Sequence, residues 1–296
     1  MSSAPTWAPR LADWYRREAR DLPWRRPEFA EQYGAWGTLV SEFMLQQTPV
    51  NRVIPRLETW LARWPTPAAQ ARATPAEVVA QWDNLGYPRR ALWLRSAAVE
   101  IVERHDGIVP RDVDSLLALS GIGDYTARAV AVFSYRDRHP VVDTNIRRVI
   151  ARVIDGRAQQ GAPARSDLQR MTELLPTDVT DSAIFNAAMM ELGAIICTAR
   201  SPQCEQCPIA SSCAWLAAGR PETGDERRKQ ARYEGSDRQA RGGILRALRA
   251  ASNHRLSADG VIPEWPDAVQ RDRAIDSLIA DGLIEARDGT LSLPHG

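Results

Sequence analysis

Four cysteines fall within seventeen residues as Cys197-x6-Cys204-x2-Cys207-x5-Cys213, and the rest of the chain has none. Thiols this dense, with none left over and no secretory signal, point to one metal site rather than to disulfides. Four-cysteine zinc sites usually pair two close C-x2-4-C knuckles across a longer loop, whereas here only Cys204 and Cys207 are close. One ligand ending a helical stretch (MMELGAIIC), followed by three on a compact loop, favours a cubane 4Fe-4S cluster, with zinc as the competitor.

Three further features could do chemistry. Leu119-Ser120-Gly121-Ile122-Gly123-Asp124-Tyr125-Thr126-Ala127 lies between the helical patterns VDSLLAL and ARAVAVFSY. Glycines on either side of one apolar residue let the backbone approach a partner closely, and the N–H groups opening the second helix form an anion site that suits a DNA phosphate. Alone, the Gly-x-Gly could equally be an ordinary interhelical turn. Downstream, HPVVDTNIRRVIARV sets Asp143 just before Ile146, Val149, Ile150 and Val153, a helical spacing that predicts Asp143 as an N-cap. A helix N-terminus favours an ionised carboxylate, which can then face developing positive charge. Glu42, flanked by Leu39, Val40, Phe43 and Met44, is expected to be buried and kept protonated as a general acid; a surface glutamate is the plainer alternative.

These side chains must be held by helices. From Trp7 to about Ala217 amphipathic patterns alternate with turn signals at Pro49, Pro55, Pro65-Thr66-Pro67, Gly86-Tyr87-Pro88, Gly107, Gly121-Ile122-Gly123 and Pro140, and sustained period-2 alternation is absent. Those signals cut the region into roughly ten helices. The charged, apolar-poor stretch over 220–236 reads as a linker, and 237–296 as a smaller winged-helix-like α+β module. In that module two helical patterns precede LIEAR and TLSL, which flank Asp288-Gly289, a dipeptide suited to a type I′ hairpin with a two-stranded wing. A packing appendage that never touches DNA is the alternative for this module.

Composition limits the rest. With 296 residues, 44% hydrophobic and 25% charged, the chain can bury one large core or a few modest ones. Its net charge of +1 says nothing about partners, so binding to nucleic acid would need a local basic surface. Of 38 basic side chains only Lys229 is a lysine, so Schiff-base chemistry is nearly excluded. No membrane-length apolar stretch is present, and a cytoplasmic protein is expected.

Taken together, DLPWR (Asp21 to Arg25), SEFMLQQT (Ser41 to Thr48), LGY (Leu85 to Tyr87), LSGIGDYTA, VVDTN (Val141 to Asn145), MELG (Met190 to Gly193) and the cysteine spacing resemble the endonuclease III superfamily of DNA glycosylases, and within it the MutY-type adenine glycosylases. The resemblance covers about residues 7 to 217 and implies a mainly α, two-lobed helix-hairpin-helix fold with a 4Fe-4S cluster loop. Residues 29–136 would form a six-helix lobe, and 1–28 with 137–219 the cluster lobe. It further implies that Glu42 protonates the adenine ring while Asp143 stabilises the oxocarbenium sugar, two carboxylates pushed in opposite directions by their surroundings. Asn145 would hydrogen-bond near Asp143. Gln47 and Tyr87 would wedge into the space left by an extruded base. Gln46, Thr48, Leu119, Gly121, Gly123 and Thr126 would contact DNA, and Trp24 and Arg25 would lie near the base pocket. Tyr125 stands where bifunctional relatives carry the Schiff-base lysine, so no lysine-dependent lyase activity is expected. The implied partner is double-stranded DNA holding a mispaired base, bound by a monomer.

The sequence also departs from the family pattern. The C-terminal region is too short and too helical for the Nudix-like domain that reads 8-oxoguanine in typical members. Ala187 replaces a Gln or Glu able to bond the adenine edge, Thr144 replaces a usual Gly, and the Pro27 to Ala35 loop looks long. Two other readings therefore stay open: a thymine or uracil mismatch glycosylase, and a non-catalytic iron-sulfur DNA-binding module. Retention of both Glu42 and Asp143 argues against the second, since carboxylates facing phosphate do not help a pure binder.

Overall fold

The computed structural model describes residues 4–222 and 232–295. Lys229 and the 223–231 part of the expected linker lie outside them. The described residues form α1 (Ala8–Glu18), α2 (Pro27–Leu45), α3 (Val50–Arg63), α4 (Pro67–Ala71), α5 (Pro75–Trp82), α6 (Arg89–Arg104), α7 (Val113–Leu117), α8 (Asp124–Tyr135), α9 (Thr144–Val153), α10 (Ser166–Leu174), α11 (Val179–Ile195), α12 (Ala214–Ala217), α13 (Asp237–Ala250) and α14 (Ala268–Ala280). Three strands, β1 (Arg255–Ser257), β2 (Glu285–Arg287) and β3 (Thr290–Ser292), complete a mainly helical fold. No described helix is long and apolar enough to cross a membrane.

Two sequence readings are corrected here. The stretch from Pro27 to Ala35 is not a loop but the start of α2, which opens on a proline and bends at Gly34 (φ 52°). Phe29 and Tyr33 pack edge to face at 5.1 Å above Gly37, where a Cβ would come within 2.6 Å of both side chains. Pro55 does not end a helix either. It lies in the second turn of α3, where the stripe Val53, Leu57, Trp60 and Leu61 is buried and compensates the one backbone hydrogen bond that proline forfeits.

The chain divides into two compact units. The first comprises the described parts of Met1–Pro27, Arg111–Asp114 and Ile122–Arg228. Its core joins Trp7, Leu11 and Trp14 at the N-terminus to Ile146, Val149, Ile150 and Val153 of α9 and Phe185, Met189 and Leu192 of α11. Trp7 stacks on Phe185 at 5.6 Å. The i, i+3, i+4, i+7 spacing after Asp143 thus supplies the apolar face that α9 buries.

The second unit comprises the described parts of Glu28–Pro110, Ser115–Gly121 and Lys229–Gly296. Trp60 and Trp82 are fully buried with their rings 5.5 Å apart, and the Trp60 indole donates to Gln70 Oε1 at 2.7 Å. α5 starts on a capping box in which Thr74 and Glu77 satisfy each other's backbone N–H.

The C-terminal segment belongs to this second unit. α13, α14 and the strands share a core of Ile244, Leu245, Leu248, Leu278, Leu283 and Leu291 that continues into Val79 of α5, with Leu92 of α6 against it. Arg249 Nε donates to Val79 O at 3.2 Å, and Asp281 accepts from Arg89 and Arg241. Asp288 (φ 48°) and Gly289 (φ 70°) both take the left-handed conformation that the hairpin turn requires. The expected two-stranded wing is in fact three-stranded and antiparallel, in the order β1-β3-β2. At three residues, β1 is too short to show alternation in the sequence.

Candidate active site

Asp143 is positioned from both sides. Before it, the fully buried Asn186 of α11 accepts from Val141 N at 2.9 Å and donates to His139 O at 3.1 Å, fixing the extended approach to α9. After it, Ile146 N donates to Asp143 Oδ1 at 2.7 Å, which is the N-cap the sequence predicts. Asn145 Nδ2 donates to the other carboxylate oxygen at 2.8 Å. Arg148, 4% exposed, donates from Nη2 to Asn145 Oδ1 at 2.8 Å and to Gly193 O at 2.6 Å, and from Nε to Cys197 O at 2.7 Å. Gly193 is a glycine because a Cβ there would lie 2.7 Å from Asn145 Cβ and 2.9 Å from Asn145 O.

The helix start favours the ionised Asp143, as expected, but burial acts against it, so the Asp143 carboxyl is not pushed in the direction opposite to a buried one. Burial pushes its pKa above the ordinary aspartate value, and the Ile146 N–H, the Asn145 amide and the Arg148 charge offset that only in part. Tyr125, half-buried in the first turn of α8, packs beside Val141, Ala183 and Met190, and its hydroxyl lies 3.8 Å from Met190 Sδ.

Glu42 lies in the second unit. It is 5% exposed on α2, between Leu39, Val40, Phe43 and Met44, all fully buried. Burial therefore prevails over the surface reading. Just past α2, Gln47 is exposed with a left-handed backbone (φ 53°), next to half-buried Gln46 and buried Thr48. Tyr87, 49% exposed, is also left-handed (φ 46°) and follows Gly86 (φ 84°).

In the hairpin, Gly121 is left-handed, and a Cβ there would meet Trp93 Cβ at 2.6 Å and Phe43 Cε1 at 3.1 Å, so only glycine fits. Gly123 precedes α8 with open space where a Cβ would be. Leu119 and Thr126, expected to contact DNA, are 3% and 2% exposed, so a duplex would meet their backbone rather than their side chains. Their burial follows from shaping the turn.

Trp24 and Arg25 form a one-turn helix, Pro23–Arg25, with Trp24 half-buried. The Arg25 guanidinium is not free for a base pocket: it donates to Glu191 Oε2 at 2.8 Å and to Arg20 O at 3.1 Å, and stacks over Tyr15. Arg20 adds two bonds to Glu191, each 2.7 Å. Burial alone would raise the Glu191 pKa, yet the bonds and charges of Arg20 and Arg25 hold it at about 2. The roles of Glu191, inside the MELG motif, and of Asn186 are not legible in the sequence, because their partners lie far away in the chain.

Cys197 follows α11, Cys204 opens a one-turn helix (Cys204–Gln206) that Cys207 closes, and Cys213 caps α12. All four line one cavity with Leu192, Ile196 and Trp215. Burial pushes the Cys207 thiol up to about 11, and the other three cysteines add to the shift. Thiols so placed ionise only around a cationic group, which an iron-sulfur cluster provides, so the donor set fits one. Arg152, 2% exposed, donates to Cys197 Sγ at 3.3 Å and lies over the Trp215 ring at 4.6 Å.

Comparison with known proteins agrees with this arrangement. Residues 40–173 match the HhH-GPD superfamily of base excision DNA repair proteins, and residues 197–213 the iron-sulfur binding domain of endonuclease III. The latter spans all four cysteines and assigns the segment to a cluster rather than zinc. An adenine DNA glycosylase of Mycolicibacterium smegmatis is 51% identical over 294 residues, 99% of this chain and 97% of that protein. A thymine/uracil-DNA glycosylase of Pyrobaculum aerophilum is 34% identical over 68% of this chain and 87% of its own length. A solved thermostable thymine-DNA glycosylase shares the fold, with TM-score 0.64 and 24% identity over 72% of this chain and 95% of that one. With identity above half along nearly the whole length, this chain belongs to the adenine DNA glycosylase family of the helix-hairpin-helix base excision repair superfamily.

Proposed function

We propose that the protein hydrolyses the N-glycosidic bond of adenine mispaired with 8-oxoguanine or guanine in duplex DNA. The observation that carries this reading is a pair of carboxyl groups in contrasting settings, Glu42 sunk among apolar side chains and Asp143 held at a helix start by a backbone N–H and an amide. Glu42 supplies the proton to the departing base, and Asp143 faces the positive charge that develops on the sugar. Asn145 fixes the Asp143 carboxylate, and Tyr125 occupies the hairpin position of a lyase lysine, so the reaction stops at base release. Gln46, Gln47, Thr48 and Tyr87 with Gly121 and Gly123 meet the distorted duplex.

Cys197, Cys204, Cys207 and Cys213 would hold the 4Fe-4S cluster, which when bound organises the loop after α11. The protein acts in the cytoplasm as a monomer. Discrimination of the opposite base is assigned to the helical body and the C-terminal module. The test is single-turnover base release from duplexes holding A opposite 8-oxoguanine, A opposite G, and T opposite G. Release from the adenine duplexes alone is expected. Release from T opposite G alone would transfer the reading to thymine, and release from none would leave a binding module.

A further inference from the structure

Arg90, in the first turn of α6, is 3% exposed. Its Nη1 donates to Phe43 O at 2.6 Å, Met44 O at 3.3 Å and Gln46 O at 2.7 Å. Its Nη2 donates to Thr48 Oγ1 at 3.0 Å and Gly86 O at 3.1 Å. The guanidinium also lies 5.2 Å from the Trp82 ring centre and 5.6 Å from that of Tyr87. Its partners are carbonyls, a hydroxyl and ring faces, and they flank each of two residues: Gln46 and Thr48 surround Gln47, and Gly86 precedes Tyr87. Both Gln47 and Tyr87 are held left-handed, a conformation sparsely populated by residues with a Cβ. Phe43 and Met44 directly follow Glu42 on α2.

We infer that Arg90 is a positioning residue that presets the Gln47 and Tyr87 loops for wedging and ties both to the helix carrying Glu42. The inference rests on the wedge roles proposed above. A planar fork is required: one guanidinium reaches the carbonyls of Phe43, Met44 and Gln46 around the end of α2, the Thr48 hydroxyl just beyond it and the Gly86 carbonyl while stacking on aromatic faces, which a lysine ammonium cannot do from a single point. Burial lowers the Arg90 pKa to about 10, so the side chain remains charged at neutral pH and needs every acceptor it has. Loops ordered before DNA arrives lose less freedom when a base is extruded, so the gain falls on extrusion rather than on duplex affinity.

The experiment compares the full-length holoenzyme with Arg90→Lys, Arg90→Met and Tyr87→Ala. Stopped-flow fluorescence follows a duplex with 2-aminopurine in place of the target adenine, alongside single-turnover release and affinity for a matched duplex. Arg90→Lys is expected to lower the extrusion amplitude and the release rate about 10-fold and Arg90→Met about 100-fold, with matched-duplex affinity changed less than about threefold. Circular dichroism and melting confirm folding; if the Met variant does not fold, the Lys variant decides. A folded Arg90→Lys that melts earlier but extrudes as wild type, while Tyr87→Ala is impaired, overturns the positioning role alone. An unimpaired Tyr87→Ala overturns the wedge reading and, with it, the role of Arg90.

Discussion

Asn145 holds Asp143 through a 2.8 Å hydrogen bond to Oδ2, on the side of the carboxylate opposite the oxygen that caps α9. One residue thereby fixes the rotation of the carboxyl group and stabilises its anion, while its own carbonyl accepts from Arg148. Because burial raises the Asp143 pKa, each donor that favours the ionised form counts in the pH dependence.

Replacing Asn145 with Ala removes a donor to the anion and moves the Asp143 pKa further up. The acid limb of base release should shift to higher pH. The neutral-pH rate should fall about 10- to 100-fold, the worth of a hydrogen bond to a charged group. Single-turnover rates across a pH series check this, and an unmoved acid limb would separate Asn145 from the carboxylate.

Gly193→Ala should act on the same bond from the other helix. Its Cβ would sit 2.7 Å from Asn145 Cβ, so α9 and α11 must part. A loss of about 1–3 kcal/mol in stability is expected from overpacking, together with slower excision. Denaturant melts and release assays on one preparation measure both.

The Glu191 carboxyl should make the first unit acid-sensitive. Its pKa of about 2 lies below the ordinary 4.5, so its contribution is complete above pH 4.5 and is lost as pH falls toward 2. Glu191→Gln should cost about 2–3 kcal/mol at neutral pH. The gap to wild type should close on acidification, as chemical denaturation at stepped pH would reveal; a constant gap would contradict the linkage.

Glu42→Gln should abolish base release while leaving affinity for mispaired DNA nearly unchanged, because a proton donor is lost and the side-chain volume is kept. Unchanged turnover would remove Glu42 from the chemistry.

Cys204→Ser should lower iron content and visible absorbance and loosen the segment around Cys197 to Cys213, since metal binding and folding are coupled. Iron analysis with melting tests this, and a folded, iron-free, active variant would contradict it.

The sequence by itself determined what depends on neighbours a few positions away. Helical spacing after Asp143 is sufficient to make it an N-cap and Asp288-Gly289 is sufficient to turn the last hairpin, whereas the choice between a buried and a surface Glu42 falls to the packing around α2. Periodicity, capping and left-handed turns are local physics, and the cysteine spacing is equally local. Tertiary structure decided whatever depends on a partner far along the chain: the burial that raises the Asp143 pKa, the engagement of Arg25 with Glu191, and the collision that forbids a side chain at Gly193. The same holds for the packing of α13 and α14 on Val79, and for the five acceptors converging on Arg90. A residue's spacing shows which face it occupies; what lies opposite that face is set by how distant segments pack, and desolvation and hydrogen bonding follow from that packing.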